Sequence, residues 1–463
     1  MPELILAVDV GTTSTRAAVV APDGTLAGLS AAPLTSRAPF PGQVEQDAEA
    51  VWAATRGAIA AALSAAARGA ADIAAVGVTT QRASAVIWDR ATGEARSPLV
   101  VWSDQRGTAR AAELAAAGFM LSPLQAATRL EAMFAAVDAP PAKLAWGNID
   151  SFIIHRLSGG THLTDRSQAW PCGYLSLPHL GWNEALIDHQ GLDRSTFPRL
   201  TDTWGELATT SPEVLGAAVP IAADIADQQS ALIAHGEAPG TAKMTFGTSG
   251  TFDLATGATF LFPAPSLPPL IVFSAGGETG FCIEGMAPAA GSAVDWARKA
   301  FSLGDHDALE SLAQSVNDAA GAVFLPAARV ALSGLGPSVS RAHLARAALE
   351  GVAFRAREII ENVYDAVQFP PPAALGVDGG MSRSGVFLQI LADLIARPVR
   401  RHGAIEATLL GAAIAAGRGI GLHADAAAMI RFCEPVTPKI DPSESAARFA
   451  AWRAEVRGEP ADP

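Results

Sequence analysis

The chain opens on Leu4–Asp9, an almost wholly apolar run, the pattern of a strand buried on both faces. A polar turn, Gly11-Thr12-Thr13-Ser14, interrupts it, and an apolar strand resumes at Arg16–Val20. Pro22-Asp23-Gly24 is a further turn, and another short apolar stretch follows it. Strand, tight turn, strand, turn and strand predict a meander at the start of an α/β domain. Asp47-Ala48-Glu49 puts acids in the first turn of an Ala-rich helix over Val51–Ala67, where the helix dipole favours them. Ile73–Thr79 reads as the next buried strand, and Ala85–Trp88 as a strand running into the turn Asp89–Gly93.

The opening pattern returns near the middle. Ala242–Thr245 runs into Phe246-Gly247-Thr248-Ser249-Gly250, and Thr251–Ala255 continues as a strand. Thr12 and Thr248 lie about half the chain apart, so the two halves predict an internal duplication. The pattern breaks at His235–Gly240, which divides the chain into domains 1–234 and 235–463. A third glycine turn, Asp378-Gly379-Gly380-Met381-Ser382, ends an apolar strand and precedes a helix over Phe387–Ile395.

Composition narrows the class. With 463 residues, 49% hydrophobic and 17% charged, the chain can bury large cores, which excludes a disordered or collagen-like protein. Its net charge of −13 argues against a nucleic-acid binder. It leaves room for an anionic ligand, because one phosphate pocket needs only a few local dipoles and cations. Cys172, Cys282 and Cys433 are too scattered for a disulfide framework or a zinc site, which fits a reducing cytoplasm. The N-terminus lacks a secretory signal. Charged residues and glycines interrupt the Ala-rich stretches 57–76 and 411–430, so both read as core helices rather than spans of roughly 20 clean apolar residues. No membrane partner is expected.

Several groups carry candidate chemistry. Asp9 ends a strand, and its carboxylate suits Mg²⁺, a hard cation that takes oxygen ligands. Beside it, the hydroxyls and turn N–H groups of Thr12, Thr13 and Ser14 can cradle phosphate oxygens, with Arg16 as a fixed positive charge. An ordinary hairpin tip would look the same. The turns at Thr248 and Gly380 have a similar capacity, and a flat ring can lie on glycine backbone. Asp227, followed by Gln228, sits where an apolar strand meets a helix. Asp224 is its rival, and a helix N-cap is the bland alternative. Arg82 and Trp102 follow buried strands and could offer hydroxyl contacts and an apolar wall to a small polyol.

Together these segments resemble the FGGY carbohydrate kinases, most closely their glycerol-kinase branch. The likeness runs nearly end to end, through LILAVDVGTTSTRAAVV, VGVTTQRASAVIWDRATG, VVWSDQR, IADQQSALIAHG, AKMTFGTSGTF, GSAVDW, HLARAALEG, LGVDGGMSRSGVFLQILADLIARPV and EATLLGAAIAAG. It implies two ribonuclease-H-like domains of the actin and sugar-kinase superfamily, with ATP and substrate in an inter-domain cleft. By position it implies that Asp9 binds Mg²⁺ through water and that Thr12, Thr13 and Ser14 contact ATP phosphates, with Arg16 nearby. Thr248 matches the second phosphate loop, Gly291 and Asp295 a stretch beside the nucleotide, and Gly380 and Ser384 the adenosine site. Asp227 matches the general base, with Gln228 beside it, and Arg82 and Trp102 match the polyol pocket.

Two departures bear on the substrate. Ala83 stands where glycerol kinases carry a Glu, and the Tyr that contacts glycerol has no counterpart, the chain having only Tyr174 and Tyr364. A pocket lacking those polar groups has an altered or relaxed specificity. The expected activity is ATP-dependent phosphorylation of a hydroxyl on a small polyol or sugar. The alternative is a catalytically idle homologue that senses nucleotide or sugar; retention of Asp9, Thr12, Thr13, Asp227 and Thr248 favours the enzyme. The polyol-side matches, Gln81-Arg82, Trp102 and Asp227-Gln228, argue against an actin-like assembly ATPase, which would need no such pocket. The sequence names no oligomer, and a homodimer is one form open to it.

Overall fold

A computed structural model of the chain describes residues 2–177, 179–264, 266–327, 329–404, 406–422 and 426–456. The chain divides into two compact units. The first comprises Met1–Ala234, Leu270–Phe281 and Thr408–Met429; the second comprises His235–Pro269, Cys282–Ala407 and Ile430–Pro463. Each unit therefore draws on discontinuous stretches of sequence.

The first unit is built on a twisted sheet whose first three strands are the expected meander: β1 (Leu4–Val10), β2 (Ser14–Val20) and β3 (Leu26–Pro33). These pair antiparallel, β1 with β2 and β2 with β3. On its other edge β1 pairs in parallel with β4 (Ile73–Thr80). A hairpin of β5 (Trp204–Thr209) and β6 (Pro220–Ala226) completes the order, with β6 parallel to β4. The registers Val10 with Thr80 and Thr80 with Ala226 bring three neighbouring parallel strands to an end at one edge. Open α/β sheets bind ligands beyond the carboxyl ends of parallel strands. That edge is where a site belongs.

Helix α1 (Ala48–Ala65) begins three residues earlier than its apolar periodicity suggests, because the Asp47 carboxylate caps the N–H groups of Glu49 and Ala50. Val51, Trp52, Ile59 and Leu63 on α1 join the β1, β2 and β4 side chains and Phe152 in one core. A second, five-stranded sheet includes Ala85–Asp89, Leu99–Val100 and Leu144–Asn148. Of the Ala-rich stretches, 411–430 supplies most of the helix Ala407–Gly419. Gly411 is seated against the Ser230 carbonyl, where a side chain would collide, and Ser230 Oγ donates to Thr408 C=O at 2.7 Å. The stretch 57–76 is not one helix: α1 stops at Ala65 and a 3₁₀ turn leads into β4.

In the second unit, β7 (Ala242–Phe246) and β8 (Gly250–Gly257) form an antiparallel hairpin around Gly247–Ser249. On its other edge β7 pairs in parallel with β9 (Leu375–Asp378), and β9 with β10 (Val399–Arg401). A hairpin on one side of the leading strand and a parallel strand on the other repeat the start of the first unit. The repeat read from the Gly-Thr turns is thus a repeat of topology. Phe246, Phe252, Phe354 and Phe387 lie in this unit's core.

All three cysteines are free thiols. Among the described residues no helix is long and apolar enough to cross a membrane.

Candidate active site

The shared strand edge of the first unit decides which sequence candidates meet. The turn Gly11–Thr13 leaves β1, Gln81 and Arg82 leave β4, and Asp227 follows β6 as the first residue of the helix α2 (Asp227–His235). Trp102 comes two residues after the strand Leu99–Val100. The fold thus brings Asp9, Thr12, Thr13, Ser14, Arg16, Arg82, Trp102, Asp227 and Gln228 into one unit.

Asp227 is one-quarter exposed, and its Oδ1 lies 3.6 Å from Arg82 Nε. The same oxygen accepts the N–H of Gln228 at 2.8 Å. A carboxylate so placed is oriented and still reachable by solvent. Its rival, Asp224, is fully buried and contacts Asp165, whose N–H it accepts at 2.9 Å. Burial, with the charges of Asp150 and Asp165, holds the Asp224 carboxyl well above the ordinary carboxylate range. Asp224 belongs to the interior.

Asp9, 4% exposed, faces Arg16 across the β1–β2 ladder, with Arg16 Nη1 3.6 Å from Asp9 Oδ2. In the turn between them, the N–H groups of Thr12 and Thr13 donate to no acceptor among the described residues, and Thr13 is exposed. Open N–H groups on a turn form a concavity for anions. A carboxylate beside such a turn repels a phosphate unless a divalent cation joins them, so the donor set fits both a nucleotide phosphate and Mg²⁺.

The Thr12 side chain is engaged within the fold. Its hydroxyl donates to Gln81 Oε1 at 3.0 Å and accepts the Trp102 indole N–H at 3.0 Å. Sequence reasoning gave these two residues to different ligands. Gln81, which joins them, counts in the sequence only with Arg82 as a polyol-side match. The Arg82–Gln81 pair at the end of a buried strand was the available sign.

In the second unit, the register of Thr245 with Asp378 sets the turns after β7 and β9 side by side. The N–H groups of Thr248 and Ser249 likewise donate to no acceptor among the described residues. Gly291, which opens the helix Gly291–Ala300, packs so tightly on this turn that a Cβ there would stand 2.6 Å from Gly247 O and 3.8 Å from Met381 Cγ. Thr248, Gly291 and Gly380 are therefore neighbours. Gly379 has φ +84°, and a Cβ on it would meet Phe246 O at 2.6 Å; one on Gly380 would meet nothing within 4 Å. Asp295 is turned toward Arg298 and His306, each 3.3 Å away. Ser384 caps the helix Gly385–Ile395 by accepting the Phe387 N–H at 3.0 Å.

Two units of this topology define the actin-like ATPase fold of the sugar kinases. The chain belongs to the FGGY family of carbohydrate kinases: the family's N-terminal domain matches residues 4–234 and its C-terminal domain residues 242–420. It is 34% identical to a glycerol kinase of Xanthobacter autotrophicus over 98% of this chain and 99% of that one. A glycerol kinase of a Geobacter species is 36% identical over 91% of each chain. Among solved structures, a Plasmodium falciparum glycerol kinase with ADP superposes with a TM-score of 0.87 at 22% identity, covering 99% of both chains. A xylulose kinase from Rhodospirillum rubrum gives 0.81 at 26% identity, with 98% of both covered. The protein is a carbohydrate kinase.

Proposed function

We propose that this enzyme transfers the γ-phosphoryl group of ATP to a hydroxyl of a small polyol or sugar, with Asp227 as general base. The observation that carries the reading is the pairing of a partly exposed Asp227 with Arg82 at 3.6 Å, at the strand edge that also bears the Thr12 turn. Trp102 supplies an apolar wall to the acceptor's carbon chain, while Arg82 and Gln228 bond its hydroxyls. The first unit carries the acceptor groups, Asp9 and one phosphate turn. Taken by itself, the second unit carries Thr248 as a phosphate contact and the glycine surface at Gly380 for adenosine. When bound, Mg²⁺ offsets phosphate charge, and Asp9 is the residue that would hold it through water.

A carboxylate is far too weak a base to ionise an alcohol in the ground state. It need not do so. In a loose phosphoryl-transfer transition state the acceptor oxygen becomes acidic only as its bond to phosphorus forms. Asp227 orients the hydroxyl first and receives its proton late. Positioning and fixed dipoles supply most of the rate. The reading places the enzyme in the cytoplasm, where ATP is available.

Asp227→Asn tests this directly. Turnover in a coupled ADP-release assay over polyols, ketoses and sugars should fall by about 10²–10⁴-fold, while ATP binding measured by calorimetry survives. Near-normal turnover of the variant would remove Asp227 as the base.

A further inference from the structure

We propose that Gln81 is a positioning residue that locks the acceptor wall Trp102 to the first phosphate turn, so that the two respond to ligands together. The inference rests on the kinase reading above and adds a role to a residue that touches neither ligand in that reading.

Gly11 C=O can only accept, so the nitrogen of the Gln81 amide must face it, at 3.2 Å. Gln81 Oε1 is then left to face two hydroxyls, Thr12 Oγ1 at 3.0 Å and Ser84 Oγ at 3.1 Å. A carbonyl oxygen has two lone pairs: Thr12 donates to one, and Ser84 donates to the other at a shorter distance than to its second acceptor, Arg82 C=O at 3.4 Å. Each hydroxyl in turn accepts from Trp102: the indole N–H reaches Thr12 Oγ1 at 3.0 Å, and the backbone N–H reaches Ser84 Oγ at 3.0 Å. The ring therefore runs from Trp102 through two hydroxyls and closes on one oxygen.

Gln81 and Ser84 are 1% and 0% exposed, so water does not compete for these bonds and their loss leaves buried polar groups unpaired. Gln46 supports the same turn from the other side, with Nε2 donating to Thr12 C=O at 2.6 Å. Two consequences follow. The Thr12 hydroxyl hydrogen is committed to Gln81, so the turn meets a phosphate chiefly with its N–H groups. The half-buried Trp102 ring is held at two points, one of which is the phosphate turn itself. A shift of that turn on nucleotide binding reorients the surface offered to the acceptor, which is the form a coupling between two sites takes.

The test uses Gln81→Leu, which keeps the bulk and removes both amide groups. In protein labelled with ¹⁵N at the indoles, the Trp102 N–H resonance is assigned by its absence in Trp102→Phe. Adding MgATP to the wild type should shift it. In Gln81→Leu the resonance should start at a different position and no longer respond to MgATP, while ATP affinity stays within about threefold. Acceptor KM should rise at least about tenfold, and acceptor-independent ATP hydrolysis should rise relative to transfer. Ser84→Ala, a smaller change, should move every readout in the same direction and serves if Gln81→Leu does not fold. An unmoved indole resonance with unchanged acceptor KM would overturn the proposal, as would an equal loss of ATP affinity and acceptor affinity with a lower Tm. The indole readout needs no turnover. A wild type that phosphorylates no polyol or sugar would thus defeat the kinase reading, while the resonance still decides the role of Gln81.

Discussion

Ser167 Oγ accepts the backbone N–H of Ala226 at 2.9 Å, one residue before Asp227, and donates to Asp165 Oδ1 at 2.8 Å. Asp165 itself caps the short helix Arg166–Ala169 and accepts the Thr203 hydroxyl at 2.7 Å. All of these side chains are buried. The end of β6, and so the start of the helix that carries Asp227, is fixed by a network rooted elsewhere in the unit. Ser167→Ala leaves the Ala226 N–H unpaired, which costs about 1–3 kcal/mol. Urea unfolding should report that loss, and turnover should fall about tenfold at unchanged ATP KM. Ser167→Thr, which keeps the hydroxyl, should recover part of both. Full turnover in Ser167→Ala would show that Asp227 is held by other contacts.

Gly379 and Gly380 adjoin in sequence and differ in what they tolerate. Gly380 has open space where a Cβ would stand, so Gly380→Ala should melt within a few degrees of the wild type. If adenosine lies on that surface, ATP KM should nevertheless rise about tenfold. Gly379→Ala should be destabilised instead, because φ +84° and the Phe246 backbone both oppose a side chain. Calorimetric melting and ATP titration of the pair separate the two effects; an unchanged ATP KM in Gly380→Ala would move the adenosine site away from Gly380.

The carboxyls of Asp150 and Asp165 are each pushed up to about 6, first of all by burial, and burial holds the Asp224 carboxyl well above the ordinary carboxylate range as well. Asp150 Oδ1 and Asp224 Oδ1 find no donor among the described residues, and a proton shared between these carboxyls satisfies both. The folded chain therefore keeps protons that the unfolded chain releases near pH 4. Between there and the raised folded values, stability falls as pH rises. Asp224→Asn mimics the protonated form, with an amide N–H for Asp150 and a carbonyl for the Asp165 N–H. The variant should match the wild type near pH 5 and exceed it by about 1 kcal/mol or more at pH 8. Urea midpoints at the two pH values check this, and a parallel pH dependence in both proteins would count against the shared proton.

Ala83 is buried, with φ +53°, and its carbonyl accepts Arg129 Nη2 at 2.5 Å. Arg129 is itself buried, and its guanidinium is pushed down to about 10 by that burial. Ala83→Glu returns the carboxylate that the glycerol-kinase branch carries at this position. The ratio of kcat/KM for glycerol to that for the best other acceptor should rise about tenfold or more. No change in the ratio would mean that acceptor choice is made by other residues.

Much of the fold was legible because burial and turn chemistry are local. The largely apolar strands Leu4–Val10 and Ile73–Thr80, the Gly-Thr turns and the Asp47 cap each act through near neighbours in the chain. Helix limits were less legible. The sequence sets Asp227 where an apolar strand meets a helix, and it is the first residue of that helix, since an acid is favourable in a first turn. The rivalry of Asp224 and Asp227 could not be settled along the chain. Three residues apart, they differ only in what surrounds them.

The sequence alone determined the family, the order of strands and turns, and the acids and glycine turns available for chemistry, because these depend on residue type and spacing. Tertiary structure decided which of two acids faces solvent, that Leu270–Phe281 and Thr408–Met429 complete the first unit, and that Gln81 and Trp102 meet on the Thr12 hydroxyl. Register and burial bring together residues far apart in the chain, such as Gln81 and Thr12, and no local pattern records such a pairing.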